Sequence, residues 1–196
     1  MEQNVHAQMN EQQEIRNRVA KPLLWVSIVG MVMFFAGFTS YYLIRHAQGG
    51  WAGFEFPQPF FISTVFIVLS SISLIIAKLQ LNKGNQKVST NLILTTFVLG
   101  LGFCIQQFKA YGYMVDQGFF FTGPESNVSY SILYVITFAH FLHVSAGMIV
   151  LAVTFVKSLS GSYTPKDKLG FELAEIFWHF LGVLWLYLLF FLVFIR

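Results

Sequence analysis

Gly170-Phe171-Glu172-Leu173-Ala174-Glu175-Ile176-Phe177-Trp178-His179-Phe180-Leu181-Gly182-Val183-Leu184-Trp185-Leu186, followed by apolar residues to Ile195, is the stretch that decides the fold. It is long and apolar enough to cross a bilayer, which takes about 20 helical residues. Yet it opens with two carboxylates and carries a histidine two turns inside. Ionisable groups in hydrocarbon are costly, so they face protein, water or a lipid headgroup. Glu172, Glu175 and His179 stand at i, i+3 and i+7 and share one helical face. Trp178 and Trp185, seven apart, form a second stripe beside it. Such a helix has a face suited to a partner.

Four more apolar stretches lie N-terminal to this one, giving spans near 23–44, 60–79, 92–113, 131–155 and 173–195. The five prolines (Pro22, Pro57, Pro59, Pro124, Pro165) fall between or just before them, as proline does where helices start. The expected fold is an all-α membrane bundle of five transmembrane helices, residues 22–196, preceded by a polar tail over 1–21 that includes Gln3, Gln8, Gln12 and Gln13. The tail has no apolar core of the signal-peptide kind and reads as a mobile tail or short surface helix. Of the 196 residues, 56% are hydrophobic and 11% charged, against about 25% charged in a soluble domain. Nothing in these residues suggests a large soluble domain.

Lysine and arginine set the orientation. Arg16, Arg18, Lys21, Lys78, Lys83, Lys87, Lys157, Lys166 and Lys168 fall on one side, and Arg45, Lys109 and Arg196 on the other. This bias puts the N-terminus in the cytoplasm and the C-terminus outside. The third loop, 112–130, is then external, and its Asn127-Val128-Ser129 triplet reads as accidental. The net charge of +3 is scattered over several loops, which argues against nucleic-acid binding. The single cysteine, Cys104, lies in an apolar segment and reads as a packing residue.

Ala36 with Ser40, and Ser70, Ser73 and Ala77, are small residues that mark candidate helix contacts. The pairs Phe34-Phe35, Phe60-Phe61 and Phe190-Phe191 face lipid or pack helices. His140 and His143 have a spacing that could share a metal, and His143 with His179 could clamp a haem. A membrane di-iron site needs several such clusters plus carboxylates, and this chain has one pair. The alternative is hydrogen-bonded histidines that lock helix packing or meet a lipid phosphate. Glu172 and Glu175 are suited to the helix N-terminus by its dipole; a proton carrier is the sharper reading, but no proton path through the other spans is visible. Gln107 can bond across to another helix, and Lys109 can snorkel. No nucleophile-plus-base set, phosphate loop or full metal-ligand set is present, so the chain does not look catalytic by itself. A small transporter would carry a charged or Gly/Pro-broken mid-membrane segment, which is missing.

Phe171-Glu172…Trp178-His179-Phe180…Trp185-Leu186 resembles the closing helix of subunit III of the haem-copper oxidases. His140-Phe141-Leu142-His143-Val144…Gly147 resembles that family's His-x-x-His-Val-x-x-Gly element, and Met33-Phe34-Phe35-Ala36-Gly37-Phe38 its Phe-Phe-x-Gly-Phe segment. Pro59-Phe60-Phe61-Ile62-Ser63-Thr64 and Leu99-Gly100…Gln107…Tyr111 are similar to two further elements. The matches fall in all five spans, in order.

The resemblance implies an accessory, non-catalytic subunit of a proton-pumping terminal oxidase in a bacterial inner membrane, with five helices corresponding to the last five of longer members. It implies lateral binding to subunit I, with subunit II and a small subunit IV as further partners and a respiratory supercomplex as a wider assembly. Haem and copper would sit in the partner subunits and none in this chain, which would hold phospholipid. Cytochrome c is the favoured electron donor, with quinol as the alternative; a b-type membrane cytochrome and a small transporter are the remote rivals. The chain departs from the family pattern where carboxylates are common, with Met31, Gly182 and Ala110 in their places, while Glu172 is retained and Glu175 is added. These losses weaken the case for a proton relay through this subunit. The implied site residues are structural or lipid-contacting: Glu172, His179, His140, His143, Gln107, Trp178 and Trp185.

Overall fold

Five apolar runs become five helices because hydrocarbon leaves a backbone no partner but itself. In the computed structural model, which describes residues 2–48, 57–123, 128–164 and 168–195 (without the side chains of residues 2–13 and 16), these are α1 (Glu2–Ala47), α2 (Gln58–Asn82), α3 (Gln86–Asp116), α4 (Val128–Leu159) and α5 (Leu169–Phe194). Each contains a segment long and apolar enough to cross a membrane, and the described residues include no strand. The protein is an integral all-α membrane bundle. Pro124, Asn127, Pro165, Lys166 and Arg196, and the side chains of Arg16 and of the tail glutamines, lie outside the described residues.

Pro57 caps α2 and Pro59 lies in its first turn, where a missing N–H is harmless. Pro22 departs from expectation: it lies inside α1, which runs unbroken through residues 2–47. Proline there removes one bond, the one to the Arg18 carbonyl. Both residues are exposed at the edge of the apolar segment, where that carbonyl can be met by water or headgroups.

α2 and α3 form an antiparallel hairpin. Its turn is set by Gly84, whose φ of +81° is one that favours glycine. The Asn85 amide donates to the Gln80 carbonyl at 2.9 Å and the Gly84 amide to that of Leu81 at 3.0 Å, the paired bonds of a glycine-terminated helix. α3 then packs on α4, α4 on α5, and α5 back on α2, closing a ring of four. α1 lies outside the ring and, among the described residues, packs on α4 and α5. Half of the α5 span is buried but only 17% of the α1 span, so α5 is the hub and α1 the periphery.

The aromatic pairs divide between the two environments. Phe35, Phe60 and Phe191 are buried, whereas Phe34, Phe61 and Phe190 are exposed. Neighbours on a helix point about 100° apart, so one member enters the core and the other meets lipid. Ser70, Ser73 and Ala77 lie at contacts as expected; the Ser73 hydroxyl donates to the Leu92 carbonyl at 3.0 Å. Ala36 and Ser40 do not: both are exposed. α1 docks instead through Ile28, Phe35, Thr39 and Tyr42, so large side chains rather than close backbone approach hold this helix.

Candidate functional site

Trp178 is fully buried at the centre of the ring. Glycines on two other helices make room for it. A Cβ added at Gly100 of α3 would lie 2.9 Å from the indole Cη2, and one added at Gly147 of α4 would lie 3.3 Å from Cε3. The indole N–H donates to the Ser70 hydroxyl of α2 at 2.9 Å, which itself donates to the Ile67 carbonyl at 2.7 Å. One side chain thus keys α5 to three other helices. Trp178→Phe removes the donor and leaves a gap between the two glycines. A loss of about 1–3 kcal/mol is expected, measured as a lower thermal midpoint for the purified protein; an unchanged midpoint would show that the indole N–H contributes nothing.

Two turns along α5, Trp185 repeats the pattern with Thr64 of α2 as acceptor, at 2.9 Å. Its ring stacks on His140 at a centroid distance of 5.3 Å and meets Phe103 edge-on at 5.3 Å. Gln107 of α3 does bond across to another helix, its amide donating to the Ser63 hydroxyl at 3.1 Å. His140 is buried, and its ring nitrogens have no hydrogen-bond partner among the described residues. His143 is half-buried beside Phe35, with Nδ1 2.7 Å from the Ala139 carbonyl of its own helix.

The charged groups gather at the opposite end of α5. Glu172 pairs with Lys21 of α1 at 2.5 Å, and Glu175 with Lys78 of α2 at 2.7 Å. His179 Nε2 stands 4.0 Å from a Glu175 oxygen. Lys168 donates to the Asn82 side chain of α2 at 2.5 Å. The face that looked suited to a partner is therefore claimed largely from within the chain: Glu172 secures α1 and Glu175 secures α2.

The three histidines have different ring neighbours: His140 lies against Trp185, His143 against Phe34 and Phe35 of α1, and His179 beside Glu175. No group of three or more His, Cys, Asp or Glu able to hold a metal occurs among the described residues. The sequence reading missed the counter-charges, Lys21 and Lys78, and two of the hydroxyl acceptors, Ser63 and Thr64. The available signal was that a buried carboxylate needs a cation and a buried indole an acceptor; spacing within one helix does not say which helix supplies it.

Residues 22–195 match the family model described as cytochrome c oxidase subunit III. The chain is 28% identical over 166 residues to the cytochrome bo(3) ubiquinol oxidase subunit 3 of Pseudomonas putida, covering 83% of this chain and 79% of that one. It is 31% identical over 175 residues to the cytochrome c oxidase subunit 3 of Rattus norvegicus, covering 82% and 64%. With the probable cytochrome c oxidase subunit 3 of Mycobacterium tuberculosis it shares 26% over 181 residues, covering 89% and 86%. The chain belongs to the cytochrome c oxidase subunit III family, whose members are subunits of multi-subunit oxidases and do not carry the redox cofactors.

Proposed function

We propose that this chain is the accessory, non-catalytic subunit III of a proton-pumping cytochrome c oxidase, binding subunit I laterally in a complex with subunit II and a small subunit IV that reduces dioxygen to water. The observation that carries the reading is the family match across all five spans, joined to polar side chains spent on holding helices together rather than on a shared ligand. A second reading, subunit III of a quinol oxidase, is favoured by the Pseudomonas relatives. In either case haem and copper sit in partner subunits and not in this chain. The charge bias of the loops supports a cytoplasmic N-terminus, with residues 1–21 on that side.

Bound phospholipid fits one feature of the surface. An apolar groove of about 410 Å3 between α1, α4 and α5 is lined by Leu24, Val150, Val153, Ala174 and Phe177. Lys168, two residues before the groove-lining Gly170, stands at one end and suits an anionic headgroup, whereas Lys21 is already paired with Glu172.

The test is to tag the chain, extract native membranes in mild detergent and identify what co-purifies by mass spectrometry. Recovery of a haem-copper subunit I is expected, and the type of subunit II recovered with it names the electron donor. Recovery of the chain alone or with unrelated proteins would overturn the proposal and return the b-type cytochrome and small-transporter readings, a redox-sensitive Soret band of its own marking the former. Within the complex, His179→Leu is expected to loosen retention of this chain more than it slows early turnover, because His179 borders the Glu175 ion pair. Full retention through purification would refute this.

A further inference from the structure

His140 is 1% exposed, and so is Gln107. Both carry polar atoms that no described protein group satisfies: Nδ1 and Nε2 of His140, and Oε1 of Gln107. A neutral imidazole has one donor and one acceptor to place, and an amide oxygen accepts two bonds. Leaving such groups bare in an apolar interior costs more than a formed bond gains.

The two residues belong to one layer. Phe108 of α3 packs on Phe141 of α4 at 5.1 Å, and Gln107 and His140 are the residues just before these two. Trp185 ties the layer together by stacking on His140 while donating to Thr64, the neighbour of the Ser63 that accepts from Gln107. Phe35 and Phe103 meet the imidazole edge-on, each at 6.2 Å, and Phe60 packs on Trp185 at 5.7 Å. Aromatic rings therefore wall this layer. Among the described residues no carboxylate, ammonium or guanidinium is paired with His140 or Gln107, so the ligand that suits this layer is a neutral hydrogen-bonding molecule.

We propose that His140 and Gln107 form a site for internal water, one or two molecules bridging the imidazole to Gln107 Oε1. Buried waters typically make two to four hydrogen bonds to otherwise unsatisfied groups. The ring nitrogens, the amide oxygen and the Ser63 hydroxyl supply that number. His140 thereby acts as a wet joint between α3, α4 and α5 rather than as a ligand for metal or haem.

The test is a density map of the purified wild-type protein, with its co-purifying subunits, at a resolution that shows waters. A peak about 2.7–3.2 Å from a His140 ring nitrogen and from Gln107 Oε1 is expected. Absence of a peak, or a ring nitrogen bonded directly to a protein group, would overturn the proposal. A double-mutant cycle gives an independent reading. His140→Phe and Gln107→Leu are each expected to lower the thermal midpoint by about 2–4 °C. The double variant should fall no further than the worse single, because either change expels the shared water; strictly additive shifts would also overturn it. Should either variant fail to assemble, the wild-type map alone decides.

Discussion

Lys78→Ala is expected to release this subunit from its complex under conditions where the wild type stays bound. The carboxylate of Glu175 is only 9% exposed and 2.7 Å from the Lys78 ammonium. Its Oε2 has no well-directed hydrogen bond, so charge attraction carries the contact. Removing one partner of a buried pair costs about 3–5 kcal/mol, because the other charge is left uncompensated. Lys78 is 36% exposed, and solvent reaching the vacated side reduces the loss to about 2–3 kcal/mol. That is still a thirtyfold or larger shift in an equilibrium. The measurement is the fraction of subunit retained after heating the purified complex, compared across Lys78→Ala, Glu175→Leu and the double variant Lys78→Leu with Glu175→Leu. The double variant should recover most of the loss, since no buried charge remains. Equal losses in Lys78→Ala and the double variant would mean that the pair is not the cause.

Gly100→Leu is expected to abolish assembly. A Cβ at this position would lie 2.6 Å from Met148 Sδ and 2.9 Å from Trp178 Cη2. The thioether is the end of a flexible chain and can turn aside. The indole cannot, because Ser70 holds its N–H and Gly147 backs its other edge. Gly100→Ala should therefore cost about 1–2 kcal/mol, within the range for overpacking, and leucine should force α3 and α5 apart. Gly30→Ala is the control: nothing lies within 4 Å of an added Cβ there, so the change should be neutral or slightly stabilising through helix propensity. Membrane-integrated, assembled Gly100→Leu protein would show that the Trp178 seat is looser than these distances imply.

Much of this fold was legible because lipid is an undemanding grammar. A span must be long, apolar and helical, so composition alone located all five helices. The helix ends were legible where a proline or glycine has a steric reason to be there, as at Pro57 and Gly84. Pro22 was not, because a solvent-facing proline costs a helix only one bond. Periodicity placed Trp178 and Trp185 on a single stripe, and both are buried. It could not say which member of Phe34-Phe35 or of His140 and His143 would turn inward, since that depends on where the neighbouring helix stands. Ala36 and Ser40 show the same limit: small residues permit close approach but do not compel it, and α1 docks on its aromatic stripe instead. The ion pairs of Glu172 and Glu175 cross between helices far apart in the chain, and no one-helix pattern names their lysines. The resemblance carried by the five motifs identified the family, which geometry alone would not have done.

The sparse seat of α1 bears on how the protein is made. Synthesis runs from the N-terminus, so α1 enters the bilayer before α4 and α5, the helices it rests on. Until they follow, it has no helix to pack on among the described residues, while α2 and α3 can pair as a local hairpin. The carboxylates that neutralise Lys21 and Lys78 also arrive only with α5. A nascent chain stopped short of α5 therefore carries both lysines without these counter-charges and α1 without one of its two supports. Closure of the bundle therefore waits for α5, which delivers both counter-charges at once.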